Sequence, residues 1–173
     1  MVSFGLAPAL VMYEWALSGL GKLGWLAAFL YAACAALRLA RFNVQNGNVD
    51  KRFFVGLPSP SAAALVMGLV WVMHASGVPG KELSFVALGF TLFAGLAMVS
   101  NIRYFSFKQF NVKDRVSFMA VIAIVLLFVL ISLDPPQVLF MIFLVYSLSG
   151  PLTAGFNLAR RWNGRRAADG RRP

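Results

Sequence analysis

Three arginines, Arg38, Arg41 and Arg103, and a helix start carrying Ser59 and Ser61 are the residues whose types and spacing could do chemistry in this chain. That chemistry is anion binding. A guanidinium fork matches phosphate or carboxylate oxygens bidentately, and a pair at i, i+3 such as Arg38 and Arg41 shares one face of a helix. The segment Gly56-Leu-Pro-Ser-Pro-Ser-Ala-Ala-Ala64 reads as a helix start, with Ser59 as cap and Pro60 at the first helical position. Its unpaired amides and partial positive charge also suit a phosphate or carboxylate. Each feature has a plainer use as well: arginines anchor membrane helices, and serines cap them.

Other reactive types give less. Glu14 is the acid that lies within an apolar stretch, placed toward the end of its helix away from the arginines. His74 stands at that same far end with no second histidine or cysteine beside it, and Cys34 reads as a small core residue. The sequence holds no Walker loop, no Cys-x-x-Cys pair and no nucleophile elbow. The residues therefore name no catalytic group and no metal ligand.

The elements that must position these groups are membrane helices. Of 173 residues 60% are hydrophobic and 13% charged, and the mean hydropathy is +0.74, which excludes an ordinary soluble domain and a disordered chain. Charge at the bilayer centre is costly, so uncharged intervals mark spans: 23–37, 53–80, 83–102, 116–133 and 135–159. The expected fold is all-α, a polytopic transmembrane helix bundle. Five full helices, at 23–41, 60–77, 83–101, 116–133 and 137–157, follow a shorter one at 2–18 that reads as the tail of a truncated N-terminal helix. Ala28, Ala32, Ala36 and Ala40 form a small-residue ladder on the second helix, expected to pack against a neighbour and to leave Arg38 and Arg41 on the opposite face.

Fourteen of the sixteen Lys and Arg fall on one set of loops, and Lys22 and Lys81 on the other. The positive-inside rule then makes the loops at 41–59 and 102–115 and the C-terminus cytoplasmic, in a multi-pass cell-membrane protein. The net charge of +10 follows from that topology and from anionic lipid, so no nucleic-acid partner is implied. Residues 1–157 form one transmembrane domain, and 158–173 a basic cytoplasmic tail expected to be mobile. Tyr104, Phe105, Phe107 and Phe110, interleaved with Arg103, Lys108, Lys113 and Arg115, suit an interfacial aromatic belt.

Four stretches, Met1-Val-Ser-Phe-Gly-Leu-Ala-Pro-Ala9, Ala36-Leu-Arg-Leu-Ala-Arg-Phe-Asn43, Gly56-Leu-Pro-Ser-Pro60 and Val99-Ser-Asn-Ile-Arg-Tyr-Phe-Ser-Phe-Lys108, together resemble the bacterial phosphatidylserine synthases of the CDP-alcohol phosphatidyltransferase family. The resemblance implies a membrane enzyme of phospholipid biosynthesis, transferring a phosphatidyl group from CDP-diacylglycerol to L-serine with release of CMP. It implies a divalent metal, Mg2+ or Mn2+, and a homodimer. The family's catalytic signature, D-x-x-D-G-x-x-A-R followed by G-x-x-x-D-x-x-x-D, immediately precedes the first of these stretches, and its four aspartates are absent from this sequence. Asp50 and Asp114 lack a partnered acid at helical spacing and do not replace them. The expectation is a truncated form, without a catalytic metal and inactive alone, that keeps the phosphate and acceptor side: Arg38, Arg41, Arg103, Ser59 and Ser61. A non-catalytic scaffold or partner subunit is the alternative, and another alcohol acceptor, glycerol phosphate or inositol phosphate, the variant within the family. A small transporter would need midplane polar residues and broken helices, which the sequence does not present.

Overall fold

Apolar runs between charged punctuation fold as helices in a computed structural model, which describes residues 1–45, 53–105 and 118–169. The first helix, α1, is Ala7–Met12 with a π-helical turn on either side, Val2–Leu6 and Tyr13–Leu17. A short 3-10 turn, Ser18–Leu20, leads to α2, Lys22–Gln45. Then come α3, Ser59–Ala75, and α4, Ser84–Val99, joined through a second 3-10 turn at Gly80–Leu83. The pair α5, Phe118–Leu133, and α6, Pro135–Asp169, breaks at Asp134, whose carbonyl accepts from the Val138 amide.

Three of these segments are long and apolar enough to cross a membrane, Lys22–Val44, Gly80–Val99 and Pro135–Gly155; Ser59–Ala75 and Val121–Leu133 are shorter apolar helices. The all-α bundle expected from the intervals is therefore the observed architecture. α1 lies between α2, α3 and α4, with Met12, Ala16 and Leu17 fully buried. α2 packs on α4, and α3 packs on α4 and on α6. Phe140 of α6 sits against Gly68 of α3, where an added methyl would lie 3.2 Å from its ring. α5 leans on α6 and exposes apolar side chains around its circumference, as a helix does whose solvent is lipid.

Three expectations are corrected. The packing face of α2 is not the alanine ladder: Ala27, Ala28, Tyr31, Cys34 and Ala35 are buried, while Ala36 and Ala40 are exposed. Arg38 and Arg41 continue the inward face, because a helix repeat of 3.6 carries 27, 31, 34 and 38 along one stripe. Two strands were not expected. Phe53–Val55 (β1) and Arg103–Phe105 (β2) pair antiparallel, with Phe54 opposite Tyr104, so short aromatic runs at the membrane edge close a ribbon between α2 and α3 on one side and α4 and α5 on the other. Nor does helix end near residue 157. α6 runs on to Asp169, since the stretch is rich in Ala, Arg and Leu and has no proline after Pro151. At about 1.5 Å per residue its 35 residues exceed a bilayer core.

Candidate functional site

Helix α4 ends where α2, β1 and β2 meet, and the last carbonyls of a helix have no partner within it. Here each has one. Leu96 O accepts from the Ser100 amide at 3.0 Å, and Ala97 O from the Leu57 amide at 2.9 Å and the Ser100 hydroxyl at 2.8 Å. Arg38 Nη1 donates to Met98 O and, across to β1, to Val55 O, both at 3.1 Å. Arg41 Nη1 donates to Val99 O at 3.2 Å and Ser100 O at 3.4 Å, and its Nη2 donates to Asn101 Oδ1. Two guanidiniums thus cap the negative end of a helix dipole. The ribbon closes over them through the Gly56 amide, which donates to Ile102 O at 2.7 Å.

Gly56 makes this convergence possible. Its φ of +79° is open to glycine, and a methyl there would lie 2.8 Å from Arg38 Nη1 and 3.0 Å from Ser100 O.

Of the expected site residues, Arg38 and Arg41 are brought together, each half-buried. Arg38 donates through Nη1 alone among the described residues, leaving Nε and Nη2 as donors; Arg41 retains Nε. Arg103 lies in β2 beside them, its backbone paired with Val55, and its side chain is outside the described residues. Ser59 is not the cap expected of it: Pro58 holds that position with φ −55° and ψ 134°, and no side chain caps the helix. The reason is local. Pro58, with its fixed φ and an extended ψ, stands one position earlier at the turn into the helix, so its carbonyl takes the first bond, from the Ala62 amide at 2.9 Å. Ser59 and Ser61 are half-buried in the first turn of α3, at the same end of the bundle as the arginines.

Sequence reasoning missed Tyr104. Assigned to an interfacial belt, it is 1% exposed, and its hydroxyl donates to Ser147 O on α6 at 3.1 Å. Its ring leans on Tyr146, centroids 5.7 Å apart. Burial pushes its phenol up to about 12, with Tyr146 acting in the same direction and the Arg38 charge against it. The signal was available in Gly150-Pro151, a glycine and a proline inside an apolar helix.

Glu14 and His74 are exposed at the far end of the bundle, where Ser84 Oγ donates to Ala16 O at 2.8 Å and binds α4 to the end of α1. Cys34 is a buried free thiol. Among the described residues no three His, Cys, Asp or Glu side chains come together. The residues described do not fit a divalent cation.

No protein-family model matches the chain. Curated relatives do. The chain is 32% identical over 148 residues to the CDP-diacylglycerol-serine O-phosphatidyltransferase of Helicobacter pylori strain J99, covering 86% of this chain and 62% of that protein. Proteins of the same name from Mycobacterium leprae and Methanocaldococcus jannaschii are 46% identical over 74 residues (40% of this chain, 24% of the relative) and 34% identical over 104 residues (60% and 44%). The chain spans 62% of the length of the Helicobacter relative. Along most of its length the chain is similar to proteins named as phosphatidylserine synthases.

Proposed function

We propose that this phosphatidylserine synthase-like chain serves phosphatidyl transfer from CDP-diacylglycerol to L-serine, and that the arginine-lined end of its bundle binds the anionic groups of those substrates. The similarity along 86% of the chain to proteins named for that reaction is the observation that carries the reading. In the reaction the serine hydroxyl oxygen bonds to the phosphorus bearing diacylglycerol, the bond from that phosphorus to CMP breaks, and the hydroxyl proton leaves to a base. The described residues supply no such base. What they supply is placement: a guanidinium fixed through Nη1 on two carbonyls holds its remaining donors in a set direction, so a phosphate or carboxylate meets a preorganised cation.

Arg38 fits that role better than Arg41, which commits two of its nitrogens to the end of α4. Arg103 and the first turn of α3 with Ser59 and Ser61 complete the anion site. The cationic loops support a reading in which this end and the C-terminus lie on the cytoplasmic side of the cell membrane, against anionic lipid. Two copies pair in the membrane.

The test measures CMP release by the protein as its own membranes hold it, with CDP-diacylglycerol and either serine, glycerol phosphate or inositol phosphate. Serine-dependent CMP release supports the reading, and Arg38→Met should then raise the serine or CDP-diacylglycerol KM about tenfold or more, the scale of one charged hydrogen bond. Release with another alcohol alone replaces serine as acceptor. No release with any of the three alcohols leaves a non-catalytic membrane partner in place of an enzyme.

A further inference from the structure

A proline inside a helix has no N–H for the carbonyl one turn back, and that carbonyl must be satisfied from elsewhere or remain unpaired in an apolar setting. Pro151 releases the Ser147 carbonyl of α6 in this way, and the Tyr104 hydroxyl, arriving from a strand 43 residues earlier, donates to it. Room for the ring comes from the neighbouring residue. A methyl at Gly150 would overlap the Tyr104 ring and lie 2.8 Å from its Oη. One turn before Gly150, the Tyr146 ring leans on that of Tyr104, centroids 5.7 Å apart.

A second tyrosine also joins two elements through a helical carbonyl. The buried Tyr31 hydroxyl of α2 donates at 3.1 Å to Phe4 O, in the π-helical turn before α1.

We infer that Tyr104, Gly150 and Pro151 form a latch that holds the β1–β2 ribbon on α6, and that Tyr104 is a positioning residue for the arginine site. The line of force is short. Tyr104 faces Phe54 across the ribbon, and the next residue of β1, Val55, gives its carbonyl to Arg38 Nη1. Fixing β2 on α6 therefore fixes one of the two carbonyls that aim Arg38, together with the backbone of Arg103. The positioning role rests on the anion-binding reading above; the latch itself does not.

Hydrogen–deuterium exchange at the Gly56 and Leu57 amides, which bond to Ile102 O and Ala97 O, reads the latch without any enzyme assay. Tyr104→Phe should speed that exchange about tenfold and raise serine KM about fivefold while kcat stays within roughly twofold. Pro151→Ala supplies the missing N–H, so in that background Tyr104→Phe should add less than about a twofold change in exchange, a non-additivity that simple loss of packing would not give. Exchange unchanged in Tyr104→Phe, or accelerated equally in the two backgrounds, overturns the latch. Faster exchange with the proline rescue but an unchanged serine KM overturns the positioning role. Absence of serine turnover in the parent protein counts against the proposed function alone, and the exchange comparison still decides the latch.

Discussion

Arg38 shows why an arginine can be structural and functional at once. Its Nη1 answers two carbonyls that belong to different elements, so removing it strands two acceptors at a half-buried position. Arg38→Met should destabilise the folded protein by about 2 kcal/mol, near the range for a charged hydrogen bond, and Arg38→Lys should recover part of that, since an ammonium is a single point donor. Thermal unfolding in detergent measures the difference. Gly56→Ala should cost as much or more, because a left-handed φ and contact with Arg38 Nη1 coincide there. Tyr104 carries a pH dependence whose sign follows from linkage. Its pKa is raised from 10.0 to about 12, so above pH 10 the unfolded chain releases this proton before the folded one does. Stability contributed by the protonated phenol is complete below pH 10 and falls as pH rises toward about 12. Tyr104→Phe should flatten that fall, as seen in unfolding curves of the two proteins across the same window.

At the scale of elements, helix positions were legible because a charge cannot sit cheaply in lipid, and α3 and α4 match their expected bounds to within two residues, while α2 and α6 run on past theirs. The expected 60–77 and 83–101 became Ser59–Ala75 and Ser84–Val99. Arg38 and Arg41 do converge, but on the end of α4, which their spacing did not show. Nothing in the spacing of Arg38 shows that its partners are carbonyls 17 and 60 residues away. The β ribbon escaped notice because three-residue strands carry too little alternation to be read. The face of α2 was misread because small size was taken for packing, whereas the buried stripe runs through Tyr31, which has a hydrogen-bond partner in the π-helical turn before α1. That contact gives a test of element joining. Tyr31→Phe should cost about 1 kcal/mol in thermal unfolding, the scale of one hydrogen bond. An unchanged unfolding temperature would show that Tyr31 stabilises by packing alone.

Taken whole, the molecule has two chemically different ends. One gathers Arg38, Arg41, Asn101 and the first turn of α3 around the carbonyl end of α4; the other exposes Glu14, His74, Lys81 and Glu82 around the α3–α4 turn. Between them lies a body whose outer surface, along α5 above all, is apolar and has lipid as its natural solvent. Such a chain cannot choose its orientation by hydrophobicity, which is similar at either end, so the asymmetry of its cations decides. Fourteen of sixteen fall on one set of loops in the sequence. The positive-inside rule predicts that the arginine end faces the cytoplasm, as the proposed function requires. Because the single cysteine, Cys34, is buried, introduced cysteines can report this without background. A membrane-impermeant maleimide should label Lys81→Cys in intact cells and Asn163→Cys only after the membrane is opened. The reverse pattern would put the arginine end outside and overturn the orientation that the proposed function requires.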